Sequence, residues 1–295
     1  MSIEIKAFCS KVPSEGYSLS PDQNNSDLGF LASKKVLEES GLNAKELNFI
    51  IYCTLTPDYI MPSTACILSD RLEAGTTAAI DITQGGSALV QAFQLARSFF
   101  ENHYAEKILV VSGDALTRIT ENGKACGENR ILFGDGAGAF LLEPGKLKKF
   151  SALSGTVPKT LHELWVPAGG AAAPMTPEEV ESKKNFLSFF QDRFTDKVLS
   201  EVARSAQQLI EQNGAPDWYI PPVMGGEFEK KLLERLKIDQ AKVVSSSNSQ
   251  VGYLSYSIPY GFHLLSQTGK LKRGDKILMS CVGAGISYGS CYVEY

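Results

Sequence analysis

The side chains able to make or break bonds are few in this chain. It holds six cysteines (Cys9, Cys53, Cys66, Cys126, Cys281 and Cys291) and three histidines (His103, His162 and His263). No two cysteines form a Cys-x-x-Cys pair, and no His/Cys cluster has zinc spacing, so no metal is expected. Cys53, Cys66, Cys281 and Cys291 sit in apolar sequence and read as buried free thiols of a reducing compartment. His263 falls in a helical stretch two turns past Ser257 and reads as a packing residue. His103 ends a helix and reads as a solvated partner of its last carbonyls. His162 precedes the run Leu164–Gly170 and has no evident role. The run Thr83-Gln84-Gly85-Gly86-Ser87 opens a helical pattern. There Ser87 reads either as a helix N-cap or as a serine nucleophile with Gln84 as a hydrogen-bond donor; the second role needs a base. The glycines of Gly134-Asp135-Gly136-Ala137-Gly138 match neither a helix-opening GxGxxG nor a phosphate loop. They read as tight strand packing.

The elements that position these residues follow from periodicity. Asp27–Ser40 has apolar residues at helical spacing and stops at Gly41. Leu47–Leu55 and Lys107–Ser112 read as buried strands, Ala88–Asn102 as an apolar-faced helix, and residues 131–142 as a glycine-punctuated β segment. Alternation of this kind indicates an α/β protein. The chain also carries an internal similarity: an apolar helix, a polar turn and a strand beginning Lys-Ile-Leu occur at Lys107 and again at Lys276. That offset predicts two related halves, 1–145 and 146–295, joined through loop-like sequence. With 295 residues, 43% hydrophobic and 21% charged, the chain is of the soluble globular class. A net charge of −4 disfavours nucleic-acid binding. No signal-peptide pattern and no run of about 18 apolar residues is present, so the expectation is a cytoplasmic protein with no membrane segment.

Three stretches together carry a family resemblance: Thr56–Phe93, Ile131–Pro144 with its Phe-Gly-Asp-Gly-Ala-Gly-Ala run, and the glycine-rich C-terminus from Leu271 to Tyr295. With Leu-Trp-Val-Pro-Ala-Gly-Gly at 164–170, they resemble the β-ketoacyl synthase III enzymes of the thiolase superfamily. The resemblance implies a five-layered α-β-α-β-α sandwich of two duplicated halves, usually dimeric. It also implies a cysteine nucleophile at a helix N-terminus, with a histidine and an asparagine that stabilise the enolate of a decarboxylating thioester.

Counting along the family motifs places these roles on residues unable to perform them. Five positions after Asp81 and six before Ala92 both give Gly86 as the nucleophile position. In the run Asp217–Gly225, Pro222 takes the histidine position. Anchoring on Ser257 and Pro259 places Gly252, or Tyr253 with one deletion, at the asparagine position; Asn248 is about four residues out of register. The N-terminal Trp and Arg that grip coenzyme A in the family also have no counterpart before the first long helix, and no cofactor is expected. Gly283 and Gly285 fall in the loop that helps form the family's oxyanion hole.

The leading expectation is a non-catalytic subunit that pairs with a catalytically active ketosynthase III-like paralogue as a heterodimer or heterotetramer. It resembles the chain-length factors of polyketide synthases and the inactive half of alkylquinolone synthase. Acyl carrier protein or an acyl thioester would be met through that partner. Met61, just before Pro62-Ser63, lies where the family places an apolar residue that closes the partner's pocket. The alternatives are an acyltransferase using Ser87 and a binding or scaffold protein with an acyl-shaped pocket.

Overall fold

A computed structural model describes residues 2–13, 17–126, 132–145, 149–244 and 251–295, with backbone alone for 191–195. The elements run β1 (Ser2–Lys11), α1 (Asn25–Ser40), β2 (Phe49–Cys53), α2 (Thr64–Arg71), β3 (Ala78–Ile82), α3 (Gly86–Glu101) and β4 (Ile108–Asp114). They continue with β5 (Leu132–Phe133), β6 (Gly136–Gly145), β7 (Phe150–Thr156), β8 (Leu164–Trp165), α4 (Pro177–Glu181), β9 (Ser188–Phe189) and α5 (Gln191–Asn213). The last are β10 (Trp218–Ile220), α6 (Gly226–Leu236), β11 (Val251–Gly252), α7 (Ser257–Gln267), β12 (Lys276–Gly283) and β13 (Ser287–Glu294).

Two sheets share one plan. The first has the order β1-β6-β4-β2-β3 and the second β7-β13-β12-β10. A parallel bridge from Tyr219 to Val243 adds one rung beyond β10, where β3 stands in the first sheet. Pair by pair the directions agree. β1–β6 and β7–β13 are antiparallel, as are β6–β4 and β13–β12, whereas β4–β2 and β12–β10 are parallel. The helices α3 and α7 touch strands of both sheets, α1 and α2 cover the outside of the first, and α5 packs on the second with α6 against it. These are the five layers α-β-α-β-α, two copies of one topology.

Local sequence explains the main elements. β4 is buried along its whole length, as a strand covered by helices on both faces must be. On α1, Leu28, Ala32, Val36 and Leu37 form the buried stripe. The helix ends where Gly41 adopts φ 66°, its N–H bonded to Glu38 O and that of Leu42 to Leu37 O. On α3 the buried residues Ala88, Leu89, Val90, Ala92, Phe93 and Ala96 surround most of the first turns, consistent with a helix between two sheets.

The four cysteines expected to be buried divide. Cys53, Cys281 and Cys291 are fully enclosed in the core between the sheets, and burial pushes all three thiols well up. Cys66 is exposed. It is the third residue of α2, on the side away from the sheet, which apolar neighbours in sequence do not reveal.

The two edges of the first sheet differ. Along β1 the pairing register breaks between Ile5 and Ala7, and the Arg273 guanidinium donates to Ile5 O (2.5 Å) and Lys6 O (2.8 Å). A bulge and a cation are devices that protect an edge from pairing. β3 has neither. No residue of β3 is fully buried, and its one charge, Asp81, turns back to accept the Thr64 and Ala65 N–H groups, each at 2.7 Å, at the start of α2.

Candidate functional site

The N-terminus of α3 meets the loops before α7 and after β12, where the two halves face each other. Gly85 enters the helix at φ 66°, a conformation open to glycine. Gly86 is the first helical residue and is buried. A Cβ built on it would lie 2.6 Å from Val282 O, 2.9 Å from Leu254 O and 3.2 Å from Cys281 Cβ. The first two neighbours are backbone and the third is rooted in a core strand, so none yields cheaply. On the other side of this contact, a Cβ on Gly283 would lie 1.6 Å from Gln84 O. The backbone at Gly86 and Gly283 has closed over the space that side chains would occupy.

Ser87 is neither N-cap nor free hydroxyl. Gly85 is the N-cap residue, and Ser87 is fully buried with its Oγ 2.6 Å from Ser287 Oγ and donating to Gln84 O at 3.1 Å. Ser287 Oγ in turn reaches Gln84 O (3.2 Å) and Ala284 O (3.1 Å). These partners are hydroxyls and carbonyls, none of them a base able to take a serine proton. Gln84 stands at the entrance to the helix. Its carbonyl is the shared acceptor, and its buried side-chain Oε1 has no partner among the described residues.

The other two residues singled out in the sequence, Pro222 and Gly252, lie on neighbouring segments of the second half. Pro222 is buried in the turn after β10. The next residue, Val223, donates its N–H to Ser257 Oγ (3.0 Å) and accepts the Tyr253 N–H (3.2 Å). Gly252 lies in β11, parallel to β5, and accepts the Gly134 N–H at 3.1 Å. The segments that carry Pro222 and Gly252 are thus linked through Val223 and Tyr253, next to Leu254, whose carbonyl faces Gly86; none of the three residues is an acid, base or nucleophile. Asn248 lies outside the described residues.

Aromatic rings fill the neighbouring space. Tyr253 and Tyr256 are buried, and their rings meet edge-on at 5.1 Å, with Tyr260 4.9 Å from Tyr253 and 5.8 Å from Tyr256. Burial pushes the Tyr253 phenol up to about 12 and that of Tyr256 higher still, so both stay neutral. The glycine-rich run admits these rings. A Cβ on Gly136 would lie 2.2 Å from Tyr256 Cδ1, one on Gly134 2.9 Å from Tyr253 Cε1, and one on Gly138 2.3 Å from Pro259 Cβ. Strand packing is therefore what the glycines serve. Asp135 between them is also structural, accepting the N–H groups of Leu19 and Thr117, each at 2.8 Å.

The histidines lie elsewhere. His263 is on α7 beside β1, in a groove shared with Cys9 and Arg273. His103 follows the end of α3 at φ 58° and is exposed, and the His162 ring packs on Trp165 at 4.3 Å. Met61 is 79% exposed in an unbroken run with Tyr59 (60%) and Ile60 (89%). Two contributors had no signal in the sequence. Ser287 meets Ser87 across 200 positions, and Asp114 binds loops of both halves (below). Among the described residues no His/Cys/Asp/Glu group could hold a metal, and no helix is long and apolar enough to cross a membrane.

Comparison with known proteins agrees with this architecture. Residues 80–157 match the 3-oxoacyl-[acyl-carrier-protein] synthase III family model, and residues 212–295 match the model of its C-terminal part. A β-ketoacyl-[acyl-carrier-protein] synthase III of Syntrophomonas wolfei is 34% identical over 288 residues, covering 93% of this chain and 84% of that protein. The crystal structure of the Aquifex aeolicus 3-oxoacyl-[acyl-carrier-protein] synthase III superposes over the whole of both chains with a TM-score of 0.86 at 22% identity. A priming β-ketosynthase of a polyketide biosynthetic pathway superposes with a TM-score of 0.86 at 20% identity, covering 99% of this chain and 96% of its own. The chain belongs to the β-ketoacyl-[acyl-carrier-protein] synthase III family of the thiolase superfamily.

Proposed function

We propose that this chain is a non-catalytic member of its family that works by pairing with an active ketosynthase III-like paralogue in fatty-acid or polyketide-type biosynthesis. The observation that carries the reading is the closure at Gly86. The residue at the nucleophile position has no side chain, and two backbone carbonyls approach to within 2.6 and 2.9 Å of where its Cβ would stand. Covalent catalysis needs a nucleophile with a base in reach and donors free to hold the developing oxyanion. Pro222 and Gly252 supply neither, and the Ser87 hydroxyl is held by Ser287 and Gln84 O.

Two surface features support pairing. The β3 edge lacks the guards present on β1, and the run Tyr59-Ile60-Met61, which leads into the α2 N-terminus held by Asp81 of β3, keeps three large apolar side chains in water. An unguarded edge next to an exposed apolar run is the pattern of an interaction site. Met61 is the residue we assign to the partner's acyl pocket, where an unbranched thioether adapts to chain length. The acyl carrier protein and acyl thioester are met through that partner, in the cytoplasm. The two topological copies are assigned to residues 1–145 and 146–295.

The experiment has two arms. The purified chain is incubated with acetyl- and octanoyl-coenzyme A and weighed intact; the expected mass is that of the unmodified protein. It is also co-expressed with a catalytically intact ketosynthase III-like paralogue, with co-purification and raised condensation activity expected. An acyl adduct on the lone chain that disappears in Ser87→Ala refutes the proposal and establishes the serine acyltransferase instead.

A further inference from the structure

Asp114, the last residue of β4, is fully buried and takes no part in the family chemistry described above. Its two oxygens serve different halves of the molecule. Oδ1 accepts the Leu55 N–H (2.7 Å) and the Thr54 hydroxyl (3.0 Å), both in the loop after β2. Oδ2 accepts the Ser255 N–H (2.7 Å) in the loop before α7. Each loop has a second tether. Ser112 Oγ donates to Ser255 O at 2.6 Å, and Asn25 Nδ2 donates to Thr54 Oγ1 at 2.9 Å and Thr56 O at 3.2 Å.

Both loops touch the closed site. Leu254 O is one of the two carbonyls over Gly86, and Leu55 Cδ1 lies 3.0 Å from where a Cβ on Gly85 would stand. The first-half loop then runs directly into the exposed Tyr59–Met61 segment. We propose that Asp114 is a positioning residue that couples the Tyr59–Met61 surface to the closed site, so that a displacement of either loop is passed to the other through one carboxylate. A buried carboxylate bridging two loops is suited to this. Losing either set of donors leaves part of it unpaired in a low-dielectric interior, so the two sets stabilise each other.

The coupling does not depend on the pairing reading, only the use made of it does, and it is measured on the isolated chain by amide hydrogen exchange. Thr54→Val removes the hydroxyl that donates to Asp114 and accepts from Asn25 Nδ2 and the Thr56 N–H, and Ser112→Ala removes the second tether of the other loop; both substitutions are small changes at buried sites. Thr54→Val is expected to speed exchange of the Ser255 amide several-fold, and Ser112→Ala that of the Leu55 amide. In an Asp114→Asn background both cross-effects vanish, the double-mutant signature of transmission through that residue. Effects confined to the loop that the substituted side chain belongs to or tethers, or cross-effects that persist in Asp114→Asn, overturn the inference. If Asp114→Asn does not fold, the two single variants decide it: cross-effects from both support the coupling, and their absence ends it.

Discussion

Placing a methyl group at Gly86 tests the closure on which the functional reading rests. In Gly86→Ala the new Cβ must stand 2.6 Å from Val282 O and 2.9 Å from Leu254 O, against the ordinary contact of about 3.4 Å or more. Both carbonyls are fixed. Val282 is in β12, and Leu254 precedes Ser255, which Asp114 and Ser112 hold. Forcing a methylene into a packed interior costs about 1–3 kcal/mol. Replacing glycine by alanine in a helix returns about 0.5–1 kcal/mol. With two fixed backbone carbonyls in the way the overpacking cost falls in the upper part of its range, about 2–3 kcal/mol, and the net expectation is a loss of about 1–2.5 kcal/mol, which for a chain of this size lowers Tm by roughly 2–8 °C. Gly283→Ala provides the ranking control. Its Cβ would fall 1.6 Å from Gln84 O, so it is expected to lose about 3 kcal/mol or more, toward the upper end of overpacking costs. Thermal and urea unfolding of the three proteins side by side measure both. An unchanged or raised Tm in Gly86→Ala, or a reversed order of the two variants, refutes the closure. Gly86→Cys is the functional extension: it is expected to be destabilised likewise and to remain unacylated by octanoyl-coenzyme A, and a stable acyl-cysteine would show that the cradle is open after all.

Other outcomes follow from the same geometry. Gly136→Ala drives a methyl group onto the Tyr256 ring and is expected to cost about 2–3 kcal/mol; Tyr256→Leu in the same chain recovers part of the loss, and strict additivity of the two would contradict the packing. Ile60→Asp with Met61→Asp is expected to change stability by no more than about 0.5 kcal/mol, both positions being exposed, while abolishing co-purification with the partner; retained co-purification removes this surface from the proposal. Burial, aided by Lys11, holds the His263 imidazole below its ordinary value, in a groove that also carries Lys6, Glu39, Cys9 and Arg273. A histidine depressed in the folded state contributes stability above its unfolded pKa of about 6.5 and loses it as pH falls through the folded value. His263→Gln is therefore expected to flatten the fall in Tm below about pH 6.5, and an unchanged pH profile would disprove the assignment.

The elements were legible where a local pattern dictates them. The stripe on Asp27–Ser40 with its stop at Gly41, the buried run inside Lys107–Ser112 and the helix after Gly86 all appear in the structure within a few residues of their expected ends. Even the duplication left a trace in the Lys-Ile-Leu strands at 107 and 276. Less was legible at the site. Ser87 read as a cap or a nucleophile from its place at a helix start. Its partner Ser287 is 200 positions away, and no periodicity reports a contact of that separation. Cys66 looked like its buried neighbours because side-chain direction at the start of a short helix depends on where the helix docks.

By itself the sequence determined residue types: glycine at 86, proline at 222 and glycine at 252 carry no acid, base or nucleophile, whatever the fold around them. It also determined the class of architecture, because period-2 and period-3.6 patterns are properties of neighbouring residues. Only the tertiary structure decided that Gly86 is enclosed by the Val282 and Leu254 carbonyls, that the rings of Tyr253, Tyr256 and Tyr260 pack together against the glycine-rich strand, and that one carboxylate at Asp114 ties loops of the two halves together. These are meetings of residues far apart in the chain. Their geometry is set by how two sheets and two central helices pack, which local sequence constrains only in aggregate.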